Sequence, residues 1–514
     1  MILLLAFRNL IDRPWRSALL FAGYGLGVGV MVVLLSIGEA LIAQASREQL
    51  VGGGQVTVLP EGVDVEVLKT GGLGGLYFSI PNARFVQLQL LAAPRLTSDV
   101  AAVAPQIEDK LLYLQTLTRG GRAGRELPVR AAGEIPSATR AVGGLPAIDG
   151  VWADDAGDRR WSAPSLFELR NAIDHFHLPP ANLANRSSYA EWHYFNVLSD
   201  DGARWAFITL MVAGDVGAPD SAGRPRWGGQ ILVTAHAPGA PARRYSARVA
   251  PHMVRFSTHD ADLRVGDASV RVRPDGRYAV HARAAAEDGA GAAATVDLVV
   301  TPAPRAYFPG ATLESGDFSS GYAVAGLRAD ATGAVCAAGW GRGANDCESF
   351  AGAQSYHDHN WGAWRGVTWE WGAGRGGAYT LLYGRVQPPD SLHTSAPLFL
   401  YLVDSLGFRA LFRPRAITYE DGRTTMVDGR TIRVPSRGVI EDARGDDTLR
   451  VELTVEDATA TDTRRGLVDR GEAEYARRLA HPYFVQMKGR LRISGRAGGR
   501  PVSGEGRGFF ETYR

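Results

Sequence analysis

"ASVRVRPDGRYAVHARA", residues 268–284, alternates Val270 and Val272, turns through Pro274, Asp275 and Gly276, and alternates again through Tyr278, Val280 and Ala282. Period-two alternation on both sides of a Pro-Asp-Gly turn is the pattern of a β-hairpin with one buried face. The device recurs in "TTMVDGRTIRV" around Asp428 and Gly429. "RGDDTLRVELTVED" likewise places Leu449, Val451, Leu453 and Val455 on one side. From about residue 180 onward the chain therefore reads as many short antiparallel strands, the make-up of barrels or sandwiches.

A chain of 514 residues exceeds what one core serves, so several domains are expected. The 56 Lys and Arg residues nearly balance 54 Asp and Glu, and the arginines are scattered, which speaks against a nucleic-acid partner. No phosphate loop, dinucleotide fingerprint, zinc-finger spacing or HExxH helix occurs, and no GxSxG elbow, so neither a cofactor nor an α/β-type serine hydrolase is expected. The two cysteines, Cys336 and Cys347, flank a Gly-rich run. They read either as a bridge constraining the unfolded chain by roughly 2–3 kcal/mol in an oxidising compartment, or as unrelated thiols.

Residues 17–38, "SALLFAGYGLGVGVMVVLLSIG", carry no charge. At about 1.5 Å per helical residue they are long enough to cross a hydrocarbon core of about 30 Å. The run is too long for the usual apolar part of a signal peptide, so an uncleaved span is expected. Arg8, Arg13 and Arg16 precede it, which places the N-terminus in the cytoplasm and the body outside, at a bacterial inner membrane. Gly23, Gly25, Gly27 and Gly29 form two small-xxx-small pairs on which a homodimer or another membrane helix can pack. The expected organisation is a cytoplasmic segment 1–16, a transmembrane helix 17–43, an extracytoplasmic segment 44–145, a linker 146–180 and two β domains, 181–365 and 366–514. Residues 119–160, rich in Gly, Pro and Ala, read as irregular connection.

Chemistry concentrates in two islands. In "SYHDHNWGAWRGVTWEWGAG", residues 355–374, a strand would send His357, His359 and Trp361 to one face and Tyr356, Asp358 and Asn360 to the other. Trp369 and Trp371 share a face, with Glu370 opposite. In "EWHYF" Glu191, His193 and Phe195 face one way, Trp192 and Tyr194 the other. A His-x-His pair can hold a metal, but Zn or Fe wants further ligands and the nearby acids fall on the opposite face, so no metal is expected. An aromatic core with hydrogen-bonded histidines and a ligand pocket both stay open. A second pair, His175 and His177 beside prolines, reads as exposed loop with no role.

Two family resemblances accompany these residues. The opening "LAFRNLIDRPWRSALLFAGYGLGVGVMVVLLSIGEAL" and "VAAVAPQIEDKLLYLQ" resemble the first helix and periplasmic head of ABC-exporter permeases of the macrolide-exporter and lipoprotein-releasing kind. That likeness implies a small mixed α/β head and an exporter as partner. "EWHYF", "YHDHNWG", "WEWG" and the terminal "GEGRGFFETYR" resemble the AttH-like and carotenoid 1,2-hydratase (hydroxyneurosporene synthase) superfamily. The resemblance implies tandem lipocalin-like barrels over residues 161–514, making the chain mainly β behind one transmembrane helix.

It also implies an apolar ligand of isoprenoid, carotenoid or polyketide type and a hydro-lyase, cyclase or isomerase activity. Hydration would protonate a trisubstituted alkene and capture the tertiary cation with water. Asp358 would be the acid if burial raises its pKa. His359 would orient or deprotonate water, Trp361 would stabilise the cation by its ring face, and Tyr383 is a further catalytic candidate. His357, Trp369, Trp371, Glu191, His193 and Tyr194 would line the ligand. The chain departs from the family pattern at His193 and Arg385, which points toward a more polar or anionic substrate. The other class of function is a non-enzymatic carrier that hands an apolar molecule to an exporter.

Overall fold

The structure, a computed structural model, describes residues 14–47, 99–117, 123–146, 164–179 and 186–514, apart from 220, 290, 316–317, 342–345, 393–395, 465–475 and 498. A few isolated positions between these ranges are also described. The chain forms two units, Met1–Phe78 with Val100–Asp158, and Ser79–Asp99 with Arg159–Arg514.

In the first unit, α1 (Pro14–Arg47) begins at a proline, whose missing N–H costs nothing in a first helical turn. Its segment Pro14–Ile37 has mean hydropathy 2.3 and is long and apolar enough to cross a membrane, the one such helix among the described residues. Arg8 and Arg13 lie outside the described residues. β1 (Gln106–Leu117) and β2 (Ala123–Glu134) pair antiparallel, followed by a short α2 (Pro136–Ala141). The reading of residues 119–160 as irregular connection is corrected by β2 and α2. β2 alternates poorly by itself, and its ladder to β1 supplies what its own pattern lacks.

The second unit opens with α3 (Leu166–Asp174), inside residues expected as linker. Ser165 caps it reciprocally with Glu168, and the helix buries Leu169, Arg170, Ile173 and Asp174. The S-x-x-E signature was present in the sequence.

The first barrel holds β3 (Tyr189–Leu198), β4 (Trp205–Pro219), β5 (Pro225–His236), β6 (Arg243–Val249), β7 (Val254–Phe256), β8 (Leu263–Val265), β9 (Ala268–Val272), β10 (Tyr278–Ala286), β11 (Ala294–Pro302), β12 (Phe308–Ser315), β13 (Phe318–Cys336) and β14 (Cys347–Ala363). The strand order β11-β13-β14-β3-β4-β5-β6-β10, closed by β10 on β11, makes a ring of antiparallel strands with no free edge. The hairpin read from residues 268–284 is β9–β10, with Val272 opposite Tyr278 and Val270 opposite Val280. Its turn glycine, Gly276, has φ +78°, and a Cβ there would lie 2.5 Å from Leu166 Cβ, so the turn seats directly on α3. Cys336 and Cys347, paired in register, form a disulfide between β13 and β14.

The second sheet holds β15 (Thr368–Gly376), β16 (Tyr379–Gln387), β17 (Phe399–Asp404), β18 (Gly407–Phe412), β19 (Ile417–Glu420), β20 (Arg423–Val427), β21 (Arg430–Val434), β22 (Arg437–Arg444), β23 (Asp447–Asp462), β24 (Tyr483–Ala497) and β25 (Arg500–Tyr513), with α4 (Ala476–Ala480) before β24. Its order is β18-β17-β16-β15-β25-β24-β23-β22-β19, a half-barrel, with β20–β21 as a separate hairpin turning at Asp428 and Gly429. Leu449, Val451, Leu453 and Val455 all point into its core.

This sheet buries both faces. One covers a core of its own, including Leu381, Tyr383, Val451 and Phe510. The other sends Trp371, Ala373, Leu382, Phe399 and Phe509 into the apolar cluster of the first barrel. Burying an aromatic such as Phe509 there contributes about 2–3 kcal/mol. An aromatic layer results, in which Tyr322 meets Trp371 at 4.8 Å and Tyr356 meets Phe509 at 4.7 Å between ring centroids.

Candidate functional site

β14 runs between two different environments, and alternation along it sorts the motif into two groups. Its inward face carries His357, His359 and Trp361, opposite Phe195, His193 and Glu191 of β3 in the ladder. The end of α3 brings Asp174 onto the same imidazoles. Asp174 Oδ2 accepts from His357 Nε2 (2.8 Å) and from the Tyr278 hydroxyl (2.6 Å), and Oδ1 accepts from His359 Nδ1 (2.5 Å). His359 Nε2 donates to Glu191 Oε1 (2.9 Å), which also receives the His177 backbone N–H (2.7 Å) and His177 Nδ1 (3.0 Å). Tyr189 donates to Glu191 Oε2 (2.6 Å). A carboxylate only accepts, so both nitrogens of His359 carry hydrogens and the ring is an imidazolium.

The charges follow. Burial works against the charged form of His359, but the hydrogen bonds of Asp174 and Glu191 outweigh it and raise the ring to about 10. Burial would raise Asp174, yet the histidines around it hold the carboxyl well below its ordinary range. Glu191 is lowered too, its burial overcome by His177 and His359. His193 is pushed down to about 3 by burial. Its Nε2 donates to the Ala261 carbonyl (2.8 Å), while Nδ1 stands 3.4 Å from Asp174 Oδ1 without a hydrogen bond.

Two sequence expectations change here. His177 is no exposed loop residue: it is half-buried and stacks on Trp361 at 3.8 Å and 10° between planes, in a stretch after α3 whose Phe176 and Pro179 are buried. His175 is half-buried beside it, 4.6 Å between rings. The argument that separated imidazoles from acids also fails. The acids come from other elements, so Asp174 with His193 and His357, and Glu191 with His177 and His359, each bring metal-type donors within 4.8 Å of one another. In the folded geometry most of these donors are engaged with one another.

The outward face of β14 meets the second sheet, and there lies Asp358, 4% exposed. Its Oδ2 accepts from the Tyr356 hydroxyl (2.8 Å) and its Oδ1 from Asn360 Nδ2 (2.7 Å). The Tyr356 hydroxyl accepts in turn from Trp371 Nε1 (2.9 Å). Glu511 of β25, opposite Trp371 in the ladder, accepts from Trp369 Nε1 (2.9 Å) and Gln486 Nε2 (3.0 Å), with Tyr194 beside it. All these hydrogen-bond partners are neutral. Burial therefore dominates, raising Asp358 to about 8, with the Glu511 charge adding to it, and Glu511 to about 7.

The residues proposed from sequence thus do not form one pocket. Asp358, Tyr194, Trp369 and Trp371 meet in the layer between the sheets. His357, His359, Trp361, Glu191 and His193 lie inside the first barrel. Tyr383 sits in the second core, stacked with Phe510 and beside Tyr419, on the far side of its sheet from Asp358. Neighbouring strand residues face opposite ways, so Asp358 cannot share a pocket with His359. Sequence reasoning missed Asp174, which only the chain path reveals, and Glu511. The latter carried a signal, a lone acid among aromatics in "GFFETYR".

Two cavities adjoin this layer. One, lined by Tyr356, Phe509 and Lys488, has a volume of about 20 Å³, room for a single water. The other is about 380 Å³ and is lined by Trp369, Glu370, Arg385, Arg477, Tyr513 and Arg514 among others.

No family model and no curated protein matches the sequence. Among solved structures, the chain is similar to one described as an AttH from Nitrosomonas europaea, at 16% identity over 66% of this chain and 98% of that one, TM-score 0.41. It is also similar to kievitone hydratase from Nectria haematococca (13% identity, 67% and 97% coverage, TM-score 0.38) and to CghA with Sch210972 (14%, 67% and 97%, TM-score 0.39).

Proposed function

We propose that this protein is a membrane-anchored acid catalyst that hydrates, cyclises or isomerises an alkene in an apolar ligand, with Asp358 as proton donor. One observation carries the reading: Asp358 is buried among aromatic rings with neutral partners, so burial raises it to about 8 and it keeps its proton at neutral pH. In hydration, the Asp358 proton and the alkene π pair form a C–H bond and leave a tertiary cation beside the Tyr356 and Trp371 rings. A water lone pair then forms the C–O bond, and the water's proton passes to the carboxylate left behind. Acid is restored and one water is added. The Glu511 charge adds to burial in raising Asp358. This assignment drops His359, Trp361 and Tyr383 from the reacting group, because they lie on other faces.

The apolar helix α1 is read as a single membrane anchor, N-terminus inside, with the disulfide-bearing body in an oxidising extracytoplasmic compartment. A homodimer or an ABC-exporter subunit is the partner proposed for its glycine face.

A second reading is a carrier without catalysis. It is favoured by the size of the space at Tyr356, about 20 Å³, which admits water but no substrate. Mass spectrometry of apolar molecules co-purifying with the wild type and with Asp358→Asn separates the two. A ligand found with one added water, or rearranged, only in the wild type supports the catalyst. The same unaltered ligand in both leaves the carrier.

A further inference from the structure

The larger cavity lies where β15 begins and β16 and β25 end, since Thr368 pairs with Gln387 and Glu370 with Arg385. Three guanidinium groups line it, Arg385, Arg477 and Arg514, against one carboxylate, Glu370. Each has an acidic partner, and for Arg477 and Arg514 that partner lies outside the lining. Arg385 donates to Glu370 through Nε (2.9 Å) and Nη2, Arg477 pairs with Asp390 (2.7 Å), and Arg514 with Asp421 (3.2 Å) while lying 4.4 Å over the Tyr419 ring. Asp390 and Asp421 do not line the cavity, so Arg477 and Arg514 contribute basic lining whose acidic partners lie elsewhere, while Arg385 and Glu370 form a pair within it. Beside them the wall is aromatic: Trp369 packs on Tyr513 at 5.1 Å and on Phe484 at 5.0 Å.

We propose that this cavity binds an amphiphile with an anionic head, a phosphate or carboxylate, placed among Arg385, Arg477 and Arg514 with its apolar body on Trp369 and Tyr513. The inference deepens the catalytic reading, on which it rests for the alkene. Trp369 joins the two places, since it is among the residues lining the cavity while its Nε1 donates to Glu511. A volume of about 380 Å³ is in the range of small-molecule sites.

The test is calorimetric titration of the full chain in phosphatidylcholine nanodiscs, with empty discs subtracted, using geranyl phosphate, geranic acid, geraniol and inorganic phosphate. Geranyl phosphate or geranic acid is expected to bind at least about tenfold tighter than geraniol, as one charge-assisted contact requires, and tighter than inorganic phosphate. Arg477→Gln, and the charge-balanced pair Glu370→Gln with Arg385→Gln, are each expected to weaken the anionic ligands about tenfold and to leave geraniol unchanged. Equal affinity for geraniol and both anions overturns the proposal. So does inorganic phosphate binding as tightly as geranyl phosphate, or indifference of the anionic ligands to both sets of substitutions. Binding of the anionic ligand without any product sinks the catalytic reading alone, whereas conversion of geraniol at undiminished affinity sinks this inference alone.

Discussion

Replacing Asp358 by Asn should change how stability depends on pH. The carboxyl moves from 3.8 in the unfolded chain to about 8 in the folded one, through burial against neutral partners. A group whose folded pKa is raised contributes stability that is fully present below the unfolded value and is lost as pH rises through the folded one. Between pH 5 and 8 the unfolded chain has released this proton and the folded chain still holds it. The unfolding free energy then falls by about 1.4 kcal/mol per pH unit, on the order of 4 kcal/mol across the interval. Glu511 acts in the same direction up to about 7, and His193, pushed down to about 3, acts oppositely below its ordinary range. The His193 contribution remains in Asp358→Asn, so the difference between the two proteins reports Asp358 together with its coupling to Glu511. Urea unfolding of the full chain, followed by tryptophan fluorescence at pH 5, 6, 7 and 8, should show the variant gaining on the wild type by about 1.4 kcal/mol per unit. Parallel pH profiles would mean that Asp358 is ionised when folded, and the acid assignment would fail with it.

Three further outcomes are expected. Glu511→Gln removes the charge that raises Asp358, so the pH loss that distinguishes Asp358→Asn should shift to lower pH in the Glu511→Gln background; an unshifted midpoint breaks the coupling. Asp174→Asn strands His357 and His359 without their carboxylate and should cost on the order of 3–5 kcal/mol in urea unfolding, while a loss below about 1 kcal/mol would show the network to be slack. Replacing Cys336 and Cys347 together by serine should lower stability by about 2–3 kcal/mol, read from the same unfolding curves under non-reducing conditions; no change would mean that the short hairpin loop is ordered without the bridge.

Much of the fold was legible because strand alternation and hairpin turns are local. Val270, Val272, Tyr278 and Val280 encode their own register, and Asp428 with Gly429 encodes a turn with both residues at positive φ (48° and 77°). The face assignments along 355–361 were legible for the same reason. What escaped was set by distance in the chain. Asp174 lies 185 residues before His359, on a helix inside a stretch read as linker, and nothing in the motif announces it. β2 escaped because it depends on β1. The candidate site was misread where chemistry was pooled by proximity in sequence: Asp358 and His359 are neighbours that the pleat sends to opposite sides.

That separation also sorts what each face of β14 is for. Inside the barrel both carboxylates are held by imidazole and phenol donors: His359 lies between Asp174 and Glu191, His357 on Asp174, and Tyr189 on Glu191. A network so closed holds α3 and the chain after it against the strands. Outside, the donors to Asp358 and Glu511 are neutral; their hydrogen bonds favour the ionised forms, but burial outweighs them and both carboxyls are raised. The His359 imidazolium, one residue along the strand, lowers Asp358 less than burial raises it, so burial decides its state. Two faces of one strand thus hold buried carboxyls in opposite states: Asp174 and Glu191 are lowered among histidines, whereas Asp358 is raised by burial.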